Sequence, residues 1–202
     1  MSDSVLIIQS TEFDASTHVR YNGQSAACPG GRPRSFGKGR NLGISGGDGE
    51  PLRLSTPLML TWGVNVREPD QPGGRVKYDL SLQFPNEPNE ATDAFLKGVK
   101  SLEDKLRSDA VEHSTTWFNK KITSTEQVDM IFNGLLRYPR KEGTQEPDHD
   151  RAPSLGVKLD CWDEGFTCEL FNAKQEPIFP GGSGQEPPDI ITKGSKLACV
   201  IR

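Results

Sequence analysis

The chain is 202 residues long and 33% hydrophobic, with 21 glycines, 15 prolines and a formal net charge of −4. That length accommodates one domain with embellishments, or at most two small ones, and a core that needs no disulfide or metal staple. No segment approaches the roughly 20 apolar residues of a membrane span. The net charge excludes a domain that is basic throughout, so a polyanion would have to be met by a local patch.

Residues 1–21 are read as an N-terminal strand region. Val5, Leu6, Ile7 and Ile8 form a short apolar run with no positively charged segment before it, which predicts a strand and no signal peptide. Residues 22–53 are read as a flexible loop. Arg32, Arg34, Lys38 and Arg40 alternate there with glycines and Phe36. Such a composition follows a phosphate backbone easily, and equally suits a solvated loop. Acidic residues gather elsewhere, at 87–93 and 142–150.

Residues 58–66 and 75–84 form the clearest predicted strand pair. In the second, Val76, Tyr78, Leu80 and Leu82 alternate with Lys77, Asp79, Ser81 and Gln83, the period of a half-buried strand. The Pro- and Gly-rich link between the strands has hairpin chemistry. Arg75 and Lys77 then share the exposed face, where a ligand could lie. From Thr92, the expected N-cap, the period becomes helical through Phe95, Val99, Leu102, Leu106 and Ala110. A second helix is expected from Ser124, with Gln127 completing a capping box and Val128, Ile131, Phe132 and Leu135 as its stripe, ending before Pro139.

Between the helices, on an expected short strand, stands Trp117-Phe118-Asn119-Lys120-Lys121. Aromatic faces stack on unpaired bases and ammonium groups neutralise phosphates, a pairing suited to single-stranded nucleic acid. Arg137-Tyr138-Pro139-Arg140-Lys141 repeats it in weaker form. The competing reading makes Trp117 and Phe118 ordinary core. Residues 138–153 follow as a charged loop. Alternation at Leu155, Val157 and Leu159, a turn at 163–165, and Phe166, Cys168 and Leu170 predict a hairpin. Residues 196–201 form a closing strand.

Cys28, Cys161, Cys168 and Cys199 make no closely spaced pair, and His18, His113 and His149 are scattered, so no zinc site is expected. The cysteines read as small buried hydrophobes in a reducing compartment. Asp148-His149-Asp150 reads as a solvated turn. Phosphate-binding loops, nucleophile elbows and paired metal histidines are absent from the sequence. No catalytic residue, cofactor or metal is therefore expected. The expected fold is mainly β with inserted helices, α+β: a small Greek-key or OB-like barrel with two helices over residues 54–202.

Several blocks resemble a family of nucleocytoplasmic large DNA viruses associated with single-stranded DNA binding through an OB-like barrel. They are Ser55-Thr56-Pro57-Leu58-Met59-Leu60-Thr61-Trp62-Gly63-Val64-Asn65, then Tyr78-Asp79-Leu80-Ser81-Leu82-Gln83-Phe84, then Trp117–Lys121 and Leu136-Arg137-Tyr138-Pro139. Glu146-Pro147-Asp148, Val157-Lys158-Leu159 and Lys193-Gly194-Ser195 complete the series, which spans roughly residues 54–202. The resemblance implies a non-catalytic protein that coats unpaired viral DNA in replication or repair without strong sequence preference. Its partners would be single-stranded DNA, with RNA second, a replication protein or further copies of itself, and no membrane. It would work inside the host cell, in cytoplasm or nucleus at the site of viral replication, or travel in the virion. The family's chain continues past the Lys-Gly-Ser strand into another aromatic-rich strand, whereas this one stops at Arg202. That implies a shortened form or a barrel closed differently.

The alternative is a virion structural or scaffold protein of minor-capsid type with no nucleic-acid role. Trp62, Trp117 and Trp162 would then be core and the glycine-rich segment an assembly arm. An enzyme of nucleotide metabolism has only the isolated histidines in its favour.

Overall fold

A computed structural model describes residues 6–22, 43–46, 50–69, 71, 73–87, 89–163, 165–181 and 184–202. In chain order the elements are β1 (Ile8–Gln9), α1 (Ala15–His18), β2 (Arg20–Asn22), β3 (Gly43–Ser45), β4 (Leu54–Ser55), β5 (Met59–Arg67) and β6 (Lys77–Gln83). Then follow the helices α2 (Glu90–Glu112), α3 (Ser114–Phe118) and α4 (Thr125–Asp129). The remainder is β7 (Leu136–Arg137), β8 (Ser154–Leu159), β9 (Cys161–Trp162), β10 (Gly165–Phe166), β11 (Leu170–Phe171), β12 (Pro177–Phe179), α5 (Pro187–Ile190), β13 (Lys196–Leu197) and β14 (Val200–Ile201). The class is α+β.

The chain divides into two compact units interleaved in sequence: Met1–Thr56, Asp93–Leu135 and Val200–Arg202 in the first, Pro57–Thr92 and Leu136–Cys199 in the second. The body of α2 and the residues through Leu135 cluster with the N-terminal segment.

The first unit buries one stripe of α2, Phe95, Val99, Leu102 and Ala110, at the spacing the sequence predicts. The helix starts earlier than expected. Asn89 Oδ1 accepts the Thr92 N–H at 3.2 Å, so Asn89 takes the cap position and Thr92 lies within the first turn, buried. Residues 114–118 are helical where a strand was expected, and Asn119 ends the turn in the left-handed region at φ 54°. The next helix, α4, is a short turn with no capping box. Gln127 Oε1 accepts from the Thr123 N–H instead of from Ser124, and the Ser124 hydroxyl goes to Glu126. Of the expected stripe only Val128 is fully buried, while Ile131 is exposed. Arg20–Asn22 and Gly43–Ser45 pair antiparallel, so the far end of the segment read as flexible returns as a strand with Ser45 buried. Arg32, Arg34, Lys38, Arg40 and Cys28 lie outside the described residues.

The second unit is built on a five-stranded antiparallel sheet of order β13-β5-β6-β8-β7. Alternation fixes its two faces. Leu80 and Leu82 of β6, Leu155 of β8, Leu136 of β7 and Met59 of β5 are buried on one side. The opposite side carries Lys77, Asp79, Ser81 and Gln83. The 58–66 and 75–84 hairpin forms as predicted, within a residue or two at each end. The predicted 155–170 hairpin forms only around its turn, where Cys161–Trp162 pairs antiparallel with Gly165–Phe166; Ser154–Leu159 pairs instead with β6 along its length and with β7 at Ser154 and Leu155. The returning segment makes smaller ladders, β9 with β10 and β11 with β12. The closing strand is likewise split: Lys196–Leu197 joins β5, and Val200–Ile201 joins β4. Among the described residues no sheet closes on itself into a barrel; β13 and β7 remain the two edges of the five-stranded sheet.

Candidate nucleic-acid interface

The polar face of the five-stranded sheet carries one of the second unit's two cation–aromatic contacts among the described residues, Lys193 over Trp62; the other, Arg75 over Trp162, lies at the β9–β10 hairpin. One row crosses all five strands in register: Lys196 opposite Leu60, Leu60 opposite Gln83, Gln83 opposite Ser154, and Ser154 opposite Arg137. With strands about 4.8 Å apart, the row spans roughly 19 Å, with a cation at each end. A parallel row holds Asn65, Asp79 and Lys158, and beyond it Arg67 faces Lys77.

Trp62 lies between these rows because β5 carries a bulge. Pairing passes from Thr61–Leu82 to Val64–Leu80, so Trp62 and Gly63 together oppose Ser81 alone. Gly63 has φ +96°, and a Cβ there would meet the Ile191 carbonyl oxygen at 3.3 Å, so glycine meets both demands. Trp62 is left on the polar side, 57% exposed, with the Lys193 ammonium 5.4 Å over its ring. The separation lies within the range of a cation–π contact.

Electrostatics on this face centre on Asp79, which is only 7% exposed. Arg67 Nε donates to it at 2.7 Å, Asn65 Nδ2 at 3.5 Å, and an Arg137 guanidinium nitrogen stands 3.9 Å away. Arg137 reaches across from β7 because position 156 is glycine: a Cβ there would lie 2.9 Å from the guanidinium carbon. One carboxylate thus holds two arginines on the face, while Lys77 and Lys158 stand exposed beside it.

Tyr138 is half-buried with His149 at 4.4 Å between ring centroids, and Lys141 pairs with Glu146 at 3.8 Å in the loop after β7. Arg140 is exposed in the same loop, bridged through its backbone to Pro147. Arg75 stacks its guanidinium 5.0 Å over the Trp162 ring and pairs with Asp163 at 3.5 Å, so it is engaged at the small β9–β10 hairpin. The second unit therefore carries Lys77 and Arg137 on the same sheet face but in separate rows, brings Tyr138 beside Arg137, and engages Arg75 and Lys141 in ion pairs elsewhere.

Trp117 belongs to the first unit and to a different environment. Its ring meets Tyr21 edge-on at 4.9 Å, His113 at 5.3 Å and Phe118 at 6.4 Å, and it packs on the buried Ala110, Ile122 and Val128. Tyr21 donates its hydroxyl to Asp109, which also takes Lys105 at 2.8 Å. Burial, and then the Asp109 carboxylate, push the Tyr21 hydroxyl well above the ordinary tyrosine range. Burial works to raise Asp109, but the Lys105 and Tyr21 hydrogen bonds outweigh it and hold its carboxyl low. Trp117 is thus one wall of an aromatic box. Phe118 is 43% exposed, and Lys120 and Lys121 are exposed beyond it.

Trp62, Lys158, Lys193 and Lys196 were not singled out from the sequence as site residues. A signal existed for Trp62: it is two residues from Leu60 on a strand whose partner turns Gln83 and Ser81 the same way. Lys193 and Lys196 could be found only through the pairing of β13. Cys161, Cys168 and Cys199 are half-buried, and burial foremost raises the Cys168 thiol. Among the described residues no group of three or more His, Cys, Asp or Glu could hold a metal ion, and no helix is long and apolar enough to cross a membrane. Compared with known proteins, the chain matches no family model, no curated protein and no solved structure.

Proposed function

We propose that the polar face of the five-stranded sheet binds single-stranded nucleic acid, DNA foremost, without catalysis. The observation that carries this reading is Trp62, exposed on β5 with Lys193 over its ring, on a face that also carries Lys77, Lys158, Lys196 and Arg137. Among the described residues the one carboxylate within that face, Asp79, is buried and already paired. An unpaired base offers Trp62 a flat apolar partner, and the surrounding cations accept successive phosphates. Duplex DNA hides its base faces and offers only phosphates.

The sheet would serve as the binding face of an OB-like protein, one open at β13 and β7. Coating of unpaired DNA in replication or repair is the role such a face suits, and the resemblance of the Ser55–Asn65 and Tyr78–Phe84 blocks to the large-virus family agrees with it. The test is titration of the full chain with an unpaired oligonucleotide and its duplex at two salt concentrations. Tighter binding of the single strand is expected, with log affinity falling by about 0.7 per contacted phosphate against log salt. Equal affinity for duplex and single strand would sink the stacking role of Trp62.

A scaffold or virion structural role is the second reading, favoured by the exposed apolar side chains Phe118, Met130 and Ile131 of the first unit. Concentration-dependent self-association without oligonucleotide binding would select it.

A further inference from the structure

The row from Lys196 to Arg137 is also the floor of a groove of about 860 Å³ that lies entirely within the second unit. That volume lies within the range of pockets that take small molecules. Its walls have an unusual composition for a chain of net charge −4. Trp62, Tyr138, Leu60 and Phe84 supply flat or apolar surface, and Gln83 and Asn86 supply carboxamides. Arg137, Arg151 and Lys196 supply positive charge, and among the described residues no Asp or Glu lines it. A concave site with aromatic sides, amide groups and cations, and no carboxylate, is complementary to a planar heterocycle carrying an anion.

We infer that this groove is a nucleotide pocket, which seats the base of one nucleotide beside Trp62 and Tyr138 and its phosphate among the three cations. The inference deepens the single-strand reading and rests on it for the source of the nucleotide. A strand lying along the sheet face would turn one unstacked base into the groove, where Gln83 and Asn86 meet its hydrogen-bonding edge, as carboxamides do with base edges elsewhere. Gln83 is held for this by its own Nε2, which donates to the Ser81 carbonyl at 3.3 Å, so its side-chain oxygen is the accepting end. The consequence is a preference for base over bare backbone at one point of an otherwise unselective interface.

The experiment follows the indole N–H and carboxamide resonances of the full chain by heteronuclear NMR. A nucleoside monophosphate is titrated in, with ribose 5-phosphate and inorganic phosphate as probes lacking the base. Saturable shifts of the Trp62 indole and the Gln83 and Asn86 amides are expected with the nucleotide, and much smaller ones with either control. Ser154→Phe, which fills the floor from a half-buried surface position, should abolish those shifts. It should also weaken oligonucleotide binding by about tenfold, the equivalent of one stacked base. Asn86→Ala, in an exposed loop, should reduce them without altering the melting temperature, which keeps the test independent of whether Ser154→Phe folds. Equal shifts with ribose 5-phosphate, or nucleotide shifts that survive Ser154→Phe in a folded protein, would overturn the pocket. Failure of any oligonucleotide to bind, with the nucleotide shifts intact, would overturn the strand-binding face and leave the pocket standing as a site for free nucleotide.

Discussion

Trp117 and Trp62 each stand near lysines, and the two units use them oppositely. Around Trp117 one cation belongs to the packing: Lys105 is tied to Asp109 and lies 5.8 Å over the Tyr21 ring, and the tryptophan's neighbours are Tyr21, His113, Phe118 and buried aliphatics, with Lys120 and Lys121 exposed in the segment that follows. Around Trp62 the ring is raised on a bulge into solvent and Lys193 lies over it. An aromatic-lysine pair in a sequence therefore has no fixed meaning. What decides is whether the backbone gives the ring a covered or an uncovered side, and a carboxylate within reach converts a phosphate contact into a structural ion pair.

The largest effect that could break this comparison is on stability. Trp117→Ala should destabilise the fold by about 3 kcal/mol, toward the low end of large-aromatic truncations because the ring is only half-buried. Trp62→Ala should leave the denaturation midpoint nearly unchanged, yet weaken single-strand binding by about 1–3 kcal/mol. Chemical denaturation and oligonucleotide titration of both variants give the four numbers. A stable Trp117→Ala protein that loses binding would return the site to Trp117–Lys121.

A smaller effect sharpens the structural half through pH. The Tyr21 hydroxyl is raised in the fold, so its contribution is complete below the unfolded value of about 10 and is lost as pH climbs above it. Asp109 is lowered, so its contribution is present above about 3.9 and is lost as pH falls through the carboxylate range. Tyr21→Phe should remove the alkaline loss, at a cost of about 1 kcal/mol for the missing hydrogen bond at neutral pH. Denaturation midpoints from pH 6 to pH 11, for wild type and variant, check this. Superimposed curves would show that the Tyr21–Asp109 contact contributes nothing to folding.

Much of this was legible in the residues, and the failures share a cause. The strict alternation from Val76 to Gln83 marks β6 because both its faces are set by local period, and the spacing from Phe95 to Ala110 marks α2 for the same reason. Partners are not local. Leu155, Val157 and Leu159 announce a strand but cannot announce that it pairs back to β6, with β7 on its other edge. Nor does a short segment such as Ser124–Leu135 reveal that Gln127 will serve Thr123, leaving a five-residue helix. The candidate site was half visible on the same terms: Lys77, Arg137 and Tyr138 belong to strands or clusters that the sequence marks. Lys193 and Lys196 reach it only because β13 pairs with β5, across more than a hundred residues of chain.

The smallest expected effect tests how the face is assembled. Arg137 lies across Gly156 to approach Asp79, and a methyl group at 156 would stand 2.9 Å from the guanidinium carbon. Gly156→Ala should push that side chain off the sheet. Stability should change by less than about 1 kcal/mol, because the Arg137–Asp79 pair is long and half in solvent, and Arg67 continues to neutralise Asp79 at 2.7 Å. Binding should respond more clearly. If Arg137 meets a phosphate from its position over Gly156, both Gly156→Ala and Arg137→Ala should flatten the plot of log affinity against log salt by about 0.7, the loss of one contact. The double variant should flatten it no further. A slope altered by Arg137→Ala but not by Gly156→Ala would mean that the arginine binds from a swung-out position, and that Asp79 holds it in reserve rather than aiming it.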